Sequence, residues 1–359
     1  MSSPQNQFPT RQLGVNGPTV SALGFGTMGI GAYYYGQTDK GEAFKTLSRA
    51  ADLGITFWDS ADLYGNTEEV LGEWFTQTNR RSEIFLATKF GARDLRDERP
   101  SAGLAPCSDP AYIVHAFERS LARLKTDYVD LYYQHRVDPR VPIEVVLETL
   151  RPFVDAGRIK WLGLSECSPA TLRRAKAVMG IGERVVAVQM EYSPFDLEIE
   201  TSGLLDVARE TGVAVVAYSP LGRGLLTGKY RSRDDFEEGD YRRTLPRFSE
   251  ENFGKNLALV DHLQEIANKH GATSGQVTLA WMLAEHPDFF PIPGTRNVVR
   301  LEENARGADI VLSSEDVEHI RAWAAAADIR GARKRAEHMS DGECIGLEEW
   351  NSSVQSGGQ

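Results

Sequence analysis

The chain has 359 residues, of which 41% are hydrophobic and 25% are charged, a composition typical of soluble globular proteins. Its formal net charge of −11 argues against a protein that binds nucleic acid or an anionic membrane, since either needs a clustered basic surface. No apolar run approaches the roughly 18 residues that span a bilayer. We expect no secretory signal, because the first 14 residues have neither an apolar stretch nor a basic flank. The scattered Cys107, Cys167 and Cys344 predict reduced thiols in a cytoplasmic protein rather than disulfides or a metal site.

The first predicted element is a β-hairpin over residues 14–20. The turn signal Asn16-Gly17 lies there between two short extended segments. We expect this hairpin to plug the bottom of the domain that follows it.

After the hairpin, short apolar runs alternate with amphipathic helical segments. The apolar runs predict eight strands, at residues 21–28, 55–59, 84–89, 129–135, 159–166, 185–191, 213–220 and 289–295. The helical segments lie at residues 40–54, 111–125, 143–157, 169–179 and 202–212. Several of these helices end in a glycine suited to a left-handed C-cap, namely Gly54, Gly157 and Gly212.

This alternation predicts an α/β fold with parallel strands covered by helices, because a parallel strand is buried on both faces. Eight such units favour a closed (β/α)8 TIM barrel, formed as a single domain by residues 1–326. The competing fold is a doubly wound open sheet, which usually begins with a G-x-G-x-x-G turn that leads into a helix. Residues 24–29 contain glycines but do not lead into a helix, so the barrel is favoured.

Two segments depart from the repeat. Residues 222–255 form a long polar excursion after the seventh strand, and loops of this length often act as lids. Residues 327–359 are polar and finish in a Ser/Gly-rich end, so we expect a C-terminal extension that is partly disordered.

Polar residues occur at the carboxyl ends of most of the predicted strands. Functional groups of a TIM barrel lie at the carboxyl ends of its strands and in the loops after them. In six successive units this position holds Asp59 with Tyr64 after it, Lys89, His135, Ser165 with Glu166, Gln189, and Tyr218 with Ser219. Scattered core polar residues would not fall at the same phase six times.

Four of these residues form a coherent proton-transfer set. A tyrosine has an ordinary pKa of about 10, and an ammonium ~4 Å away at an effective dielectric of ~20 lowers it by about three units. We therefore predict that Lys89 lowers the pKa of Tyr64, and that Asp59 keeps Lys89 charged. His135 would orient a substrate carbonyl beside Tyr64.

Each residue of this set also has a structural explanation. Asp59 and Lys89 are compatible with a buried ion pair, Tyr64 with an aromatic at a helix entry, and His135 with a core histidine. The joint occurrence of all four at consecutive strand ends favours the chemical interpretation.

Several motifs resemble the aldo-keto reductase superfamily, in the correct order from about residue 11 to 325. They are DSADLYG, the lysine of ATKFG, the histidine of YYQH, GLSE, VQMEYSPF, AYSPLGRGLLTGK and IPGTRNVVRLEENA. The resemblance implies a (β/α)8 barrel that binds NADPH without a Rossmann fold and reduces aldehydes or ketones. It implies a catalytic tetrad of Asp59, Tyr64, Lys89 and His135, with Tyr64 as the general acid. The SPLGRGLLTGK motif is closest in style to reductases of general aldehydes, pyridoxal or natural-product carbonyls.

A nicotinamide needs a flat ring to stack on and hydrogen-bond partners for its carboxamide. Tyr218 offers the ring, and Ser165 and Gln189 offer the hydrogen bonds. In residues 291–307 a strand end leads into a helix start, which gathers backbone N–H groups toward an anion.

The resemblance extends these contacts to the whole dinucleotide. It implies that Thr295, Arg296 and Arg300 hold the adenosine 2′-phosphate, and that Glu303 and Asn304 hold the adenine. The full predicted set is Gly26, Thr27, Met28, Asp59, Ser165, Gln189, Tyr218, Ser219, Pro220, Leu221, Arg223, Lys229, Gly294, Thr295, Arg296, Arg300, Glu303 and Asn304.

The chain departs from the family pattern at two positions. Glu166 stands where many members have an asparagine that contacts the carboxamide, and Gly294 stands where many have a lysine. A preference for NADPH over NADH therefore rests on Arg296 and Arg300, whose guanidinium groups form charge-assisted bonds with a 2′-phosphate.

The substrate and two further functions are less constrained. Tyr33, Tyr34 and Tyr35, with Trp58 and Phe90, either line an apolar pocket for aromatic or medium-chain aldehydes or pack a loop onto the barrel rim. A second hypothesis is a nicotinamide-binding regulatory subunit that resembles the β-subunits of potassium channels. A third, a barrel hydrolase, is disfavoured because the sequence shows no metal cluster of the kind such an enzyme uses.

Overall fold

The computed structural model describes residues 8–31, 39–96, 105–332 and 341–356. The strands are β1 (Thr10–Gln12), β2 (Thr19–Ser21), β3 (Phe25–Gly26), β4 (Phe57–Asp59), β5 (Phe85–Phe90), β6 (Val129–Gln134), β7 (Ile159–Ser165), β8 (Val185–Glu191), β9 (Ala214–Tyr218) and β10 (Phe289–Pro291). The helices are α1 (Lys40–Asp52), α2 (Thr67–Thr78), α3 (Pro110–Leu124), α4 (Ile143–Asp155), α5 (Pro169–Ala177), α6 (Glu198–Thr201), α7 (Leu204–Glu210), α8 (Glu250–His270), α9 (Ser274–Glu285), α10 (Val298–Arg306), α11 (Ser314–Ala326) and α12 (Leu347–Ser356). None of these described helices is both long enough and apolar enough to cross a bilayer.

Strands β3 to β10 form one sheet in which each strand pairs in parallel with the next strand along the chain. Its two outer strands meet, because Gly24 N–H donates to Pro291 O at 2.9 Å and Gly26 N–H donates to Pro293 O at 3.2 Å. The predicted (β/α)8 barrel is therefore confirmed. A doubly wound sheet would reverse its strand order, which this sheet does not.

The N-terminal hairpin is formed by β1 and β2, with Gln12 opposite Thr19. The left-handed residue of its turn is Gly14, with a φ of 75°, and not Gly17 of the predicted Asn16-Gly17 signal. Gly17 is required for a different reason, because a Cβ there would lie 1.8 Å from Leu13 O. Val15 N–H donates to Gly212 O at 2.9 Å, just before β9 begins. The hairpin thus covers the amino ends of the strands, as predicted.

The helices begin and end where their local sequence indicates. The Asp109 side chain accepts a hydrogen bond from Tyr112 N–H at the start of α3, and Ser168 accepts one from Thr171 N–H at the start of α5. The predicted left-handed glycines are confirmed, with φ values of 81° at Gly54, 70° at Gly157 and 70° at Gly212.

Alternation along each strand separates the barrel interior from the helix layer. In β4, Phe57 packs inward among the core residues of the barrel, with its ring 6.4 Å from that of Phe290. Trp58 points outward, where its ring lies 4.9 Å from Trp74 of α2. Successive strand side chains point to opposite faces, so Asp59 returns to the interior at the end of the strand.

The long excursion after β9 is an ordered set of 3₁₀ turns with its own small core. The Phe236 ring lies 4.6 Å from Tyr230, 5.7 Å from Phe248 and 5.9 Å from Phe253. The predicted end of this excursion is too late, because its last six residues begin α8. Its role as a lid stays a prediction.

The C-terminal extension crosses the loops that follow β6 and β7. Gly342 O accepts hydrogen bonds from Ser168 N–H at 3.0 Å and from Thr171 Oγ1 at 2.8 Å. Ile345 N–H donates to Pro139 O at 3.1 Å. The extension therefore borders the carboxyl ends of the strands. The domain boundary at residue 326 and the partial disorder stay predictions.

Candidate active site

The predicted tetrad lies together at the carboxyl ends of β4, β5 and β6. Asp59 is 2% exposed, Lys89 is 0% exposed and His135 is 8% exposed, whereas Tyr64 is partly buried. Asp59 ends β4, Lys89 lies in β5 and His135 directly follows β6, so the parallel register brings three side chains to one mouth of the barrel.

Lys89 directs its ammonium group at three oxygen atoms. Its Nζ lies 2.5 Å from Asp59 Oδ1, 2.7 Å from Ser60 O and 3.5 Å from Tyr64 Oη. A lysine ammonium has three donors, and each has a partner here. The predicted relay of carboxylate, ammonium and phenol is therefore present in the geometry.

Tyr64 is held by the turn between β4 and α2. Its N–H donates to Ala61 O at 3.1 Å, and its carbonyl oxygen accepts from both Thr67 N–H at 3.1 Å and Thr67 Oγ1 at 2.7 Å. Gly65 follows with a φ of 57°, a conformation that a side chain rarely adopts. The turn thus fixes the backbone position from which the phenol reaches Lys89.

The charge of Lys89 is maintained by its partners. Burial lowers the pKa of Lys89, but Asp59 and Tyr64 raise it by more, so that the net pKa lies above its ordinary value. This result agrees with the predicted role of Asp59, which is to keep the ammonium charged.

The predicted lowering of the pKa of Tyr64 is wrong. Burial raises the pKa of Tyr64 above its ordinary value, and the opposing effect of Lys89 does not overcome it. The ammonium of Lys89 does lower the pKa of Tyr64, but desolvation and the negative charge of Asp59 both raise it, and neither is visible in the sequence. Tyr64 is accordingly a neutral phenol at neutral pH, the state from which a general acid must start.

His135 lies beside Tyr64. The two rings are nearly perpendicular, with centroids 5.9 Å apart and an interplanar angle of 87°. The His135 backbone N–H donates to Phe90 O at 2.7 Å, which extends the pairing of β5 and β6 to the residue that carries the imidazole. The imidazole and the phenol are thus neighbours at the mouth.

Two polar contacts at the mouth escaped the sequence reasoning. Gln189 Nε2 donates to Asp59 Oδ2 at 2.8 Å, so this residue supports the carboxylate of the relay as well as being a predicted cofactor contact. Arg136 Nη1 lies 2.6 Å from His135 O and 3.4 Å from Ser165 Oγ. The sequence signal that could have identified Arg136 is its position directly after His135.

A short hydrogen bond joins Tyr218, which ends β9, to Glu166, which follows β7. The Tyr218 hydroxyl donates to Glu166 Oε1 at 2.6 Å. Glu166 is 8% exposed and has a left-handed φ of 55°. The sequence marked Glu166 as a departure from the family pattern but gave no partner for it.

The segment before α10 forms the predicted helix start. Asn297, which the sequence reasoning missed, caps the helix by accepting a hydrogen bond from Arg300 N–H at 3.1 Å. Thr295 is buried, and its Oγ1 accepts from Asn297 N–H at 3.1 Å. Arg296 and Arg300 are exposed beside this helix N-terminus. Two cations and a helix N-terminus provide a favourable setting for a phosphate.

The predicted adenine contacts lie farther along α10. Glu303 is partly buried and accepts a hydrogen bond from Thr273 Oγ1 at 2.8 Å, whereas Asn304 is 8% exposed. Gly294, at the start of the segment, is exposed and pairs with Gly26.

The remaining predicted cofactor contacts lie in the loops after β3 and β9. Thr27 is buried, and both its N–H and its hydroxyl donate to Asp59 O at 2.9 Å, so it supports the tetrad. Met28 is partly buried. In the loop after β9, Ser219 and Arg223 adopt left-handed φ values of 52° and 55°. Its other predicted contacts are the buried Pro220, the partly buried Leu221 and the exposed Lys229.

Two predicted pocket residues do not line the mouth. Trp58 and Phe90 are each 0% exposed and point outward, where Trp58 packs on α2 and Phe90 stacks on Tyr132 at 5.1 Å. Their neighbours Asp59 and Lys89 point inward, so alternation excludes both aromatics from the interior. Tyr33, Tyr34 and Tyr35 lie outside the described residues.

Two further buried carboxyl groups, those of Asp62 and Glu68, lie on the outer side of the site. Asp62 N–H donates to Lys89 O at 3.1 Å, and Glu68 accepts from Thr88 Oγ1 at 2.8 Å. Burial, followed by the negative charge of Glu68, raises the pKa of Asp62 to about 8. Burial also raises the pKa of Glu68. Asp62 therefore keeps its proton at neutral pH, and the two carboxyl groups connect β5 to the start of α2.

Asp62 is expected to make the protein less stable as the pH rises from about 4 to about 8. The folded state keeps the Asp62 proton in this range and the unfolded state loses it, so the stability is lost as the pH rises toward the folded pKa. The side chain in Asp62→Asn does not titrate at this position. As the pH rises, the free energy of unfolding of this variant should therefore increase relative to that of the wild type by up to about 1.4 kcal/mol per pH unit. Urea unfolding at pH 5 and pH 8 measures this difference.

Gln77→Ala, at an exposed residue of α2 that does not titrate, is the matched control, and its difference from the wild type should stay constant between the two pH values. The same constancy in Asp62→Asn would contradict the buried, protonated state of Asp62.

Within residues 8–31, 39–96, 105–332 and 341–356, no group of three or more His, Cys, Asp and Glu side chains is arranged to hold a metal ion. The three cysteines are not bonded to one another.

Comparisons with known proteins agree with this site. The model of the Aldo/keto reductase family matches residues 22–325, which include all four tetrad positions. An aldo-keto reductase of Strobilurus tenacellus named str7 is 49% identical over 333 residues, covering 91% of this chain and 95% of that protein.

A second relative and a solved structure extend the comparison. The protein of Schizosaccharomyces pombe named aldo-keto reductase yakc [NADP(+)] is 48% identical over 331 residues, covering 91% of this chain and 94% of its own. A crystal structure of the thermostable aldo-keto reductase Tm1743 with the inhibitor epalrestat is similar to this fold, with a TM-score of 0.68 and 31% identity. The match covers 88% of this chain and 99% of that one.

Proposed function

The chain belongs to the aldo/keto reductase family, and from this premise we propose that it is an NADPH-dependent reductase of aldehydes or ketones in which Tyr64 is the general acid. The observation that carries the proposal is the buried relay, in which Lys89 Nζ lies 2.5 Å from Asp59 Oδ1 and 3.5 Å from Tyr64 Oη. A structural ion pair alone would not require a phenol at its exposed end.

The residues around the relay fit the cofactor. A nicotinamide requires an aromatic face and carboxamide partners, and Tyr218, Ser165 and Gln189 offer these groups at the ends of neighbouring strands. A 2′-phosphate requires cations, and the exposed Arg296 and Arg300 lie at the N-terminus of α10. The name of the Schizosaccharomyces pombe relative includes NADP(+), which supports the same cofactor.

When bound, NADPH would supply a hydride from its nicotinamide to the carbonyl carbon. The residues of the protein deliver the proton. Tyr64 donates its phenolic proton to the carbonyl oxygen as negative charge develops there, and the phenolate that remains is stabilised by the Lys89 ammonium. Asp59 keeps this ammonium charged throughout.

His135 has an orienting role in this mechanism. Its ring lies 5.9 Å from that of Tyr64, so a carbonyl oxygen placed between them has a hydrogen-bond partner on each side. This contact positions the oxygen for the Tyr64 proton. Burial of the relay also keeps water away from Lys89, which strengthens its electrostatic effect on the phenolate.

The proposed function is tested by following the absorbance of NADPH and of NADH against a panel of aldehydes and ketones. We expect oxidation of NADPH with at least one compound, and a lower Kd for NADPH than for NADH. Arg296→Ala should weaken NADPH binding by roughly tenfold or more, because a charge-assisted bond to phosphate contributes about 1.5–3 kcal/mol. Its NADH affinity should be nearly unchanged.

Arg306→Ala is the matched control, since Arg306 is exposed at the opposite end of α10. Tight nucleotide binding without turnover on any compound would contradict the reductase and favour the regulatory subunit considered above. Equal affinity for NADH and NADPH would contradict the assigned role of Arg296.

A further inference from the structure

A buried carboxylate lies against the ring that we propose as the nicotinamide platform. The Tyr218 hydroxyl donates to Glu166 Oε1 at 2.6 Å, and Glu166 is 8% exposed. Neither the proton relay nor the phosphate contacts require a charge at this position. A charge at Glu166 would therefore act on the bound cofactor independently of the relay and of the phosphate contacts.

The backbone places Glu166 firmly within the nicotinamide contacts. Ser165 lies opposite Gln189 in the register of β7 and β8, and Glu166 N–H donates to Gln189 O at 3.1 Å. Gln189 in turn donates to Asp59 at 2.8 Å. Glu166 is thus joined through its main chain to one proposed carboxamide partner and through its side chain to the proposed stacking ring.

The conformation of Glu166 is unusual for its residue type. Its φ of 55° lies in the left-handed region, which disfavours residues with a Cβ and which asparagine tolerates better than glutamate. Strained residues of this kind are concentrated at functional sites. A strained backbone and a buried acid at the same position are consistent with a role in binding.

The two redox forms of the cofactor respond differently to such a charge. The nicotinamide ring of NADP⁺ carries a positive charge, and the ring of NADPH is neutral. A carboxylate near the ring in a partly buried site attracts the charged form, and the attraction is stronger there than in water. Two cations lie at the same mouth: Lys89 is paired with Asp59, and Arg136 Nη1 lies 3.4 Å from Ser165 Oγ.

We propose that Glu166 favours binding of NADP⁺ relative to NADPH by placing a negative charge beside the nicotinamide ring. The proposal deepens the proposed function and rests on it, because it requires that a nicotinamide binds against Tyr218. It assigns Glu166 to the balance between the two redox forms of the cofactor rather than to proton transfer. The reacting carbonyl takes no part in this effect.

The test measures the Kd of NADP⁺ and of NADPH by isothermal titration calorimetry, without a carbonyl substrate. Glu166→Gln keeps the shape of the side chain and removes its charge. We expect the ratio of Kd for NADP⁺ to Kd for NADPH to rise by roughly five- to tenfold relative to the wild type, up to about 1.4 kcal/mol. The Kd of NADPH should change little.

A second pair of variants separates charge from side-chain length. The side chains in Glu166→Asn and Glu166→Asp have the same length and tolerate the left-handed backbone better than glutamate. They differ in charge and in one amide group that replaces a carboxylate oxygen. The Asn variant should show the larger Kd ratio. Tyr218→Phe removes the hydrogen bond but no charge, and it should change both affinities by a similar factor.

Equal Kd ratios in the Asn and Asp variants would overturn the proposal, as would a Glu166→Gln variant that weakens both nucleotides alike. These outcomes would leave Glu166 a support for the Tyr218 ring. Failure of the wild type to bind either nucleotide would instead overturn the proposed function, so the two failures are distinguishable.

Discussion

Replacing Tyr64 by phenylalanine is expected to lower kcat for carbonyl reduction by roughly 10²- to 10⁴-fold, the contribution typical of a positioned general acid. The variant keeps the ring, which lies 5.9 Å from that of His135, but it removes the hydroxyl that lies 3.5 Å from Lys89 Nζ. Since the hydroxyl takes part in proton transfer and not in the proposed cofactor contacts, the Kd of NADPH should remain nearly unchanged. Steady-state kinetics with the best carbonyl of the panel, together with nucleotide titration, measure both quantities.

Tyr128→Phe provides the control for a lost phenol. Tyr128 precedes β6 at the amino end of the barrel, on the opposite side from the tetrad, and it is partly buried. This variant should keep the kcat of the wild type. A Tyr64→Phe enzyme that retains substantial activity would show that another group supplies the proton.

Replacing Lys89 by methionine is expected to remove activity and to lower the free energy of unfolding by roughly 3–5 kcal/mol. The carboxylate of Asp59 would remain 2% exposed without its cation, and an uncompensated buried charge is costly. Urea unfolding at neutral pH measures the loss of stability, and circular dichroism confirms that the variant still folds.

A double substitution distinguishes this explanation from a simple loss of packing. Lys89→Met combined with Asp59→Asn removes both charges, so the double variant should be more stable than Lys89→Met alone. Additive losses would contradict the explanation. Lys45→Met is the control, because Lys45 is exposed and pairs with Glu42 at the surface, where an ion pair contributes little to stability.

The strand order and the tetrad illustrate how much of the site could be predicted from the sequence. Asp59, Lys89 and His135 each end an apolar run, and the parallel register brings such ends together. The same alternation placed Trp58 and Phe90 on the outer face, since each neighbours an inward residue of the tetrad. Because side chains alternate between the two faces of a strand, the sequence already indicates that Trp58 and Phe90 do not line the pocket.

The error in the pKa of Tyr64 had a different origin. The distance to Lys89 was a reasonable expectation, but desolvation depends on every atom packed around the hydroxyl. Desolvation also raises the pKa of Asp62 to about 8, and it results from packing among α2, α3 and β5 rather than from the neighbours of Asp62 in sequence. A residue type and its spacing contain no measure of that packing.

By itself the sequence determined local features of this protein: eight strands, five of the helices between them, the N-terminal hairpin and the polar residues at six successive strand ends. These features follow from side-chain periodicity and turn chemistry, which act over a few residues. Only the tertiary structure decided that Gln189 supports Asp59, 130 residues away, and that Tyr218 donates to Glu166, 52 residues away. Protonation and pairing at the site depend on the removal of water by distant segments, and that removal occurs only when the barrel closes.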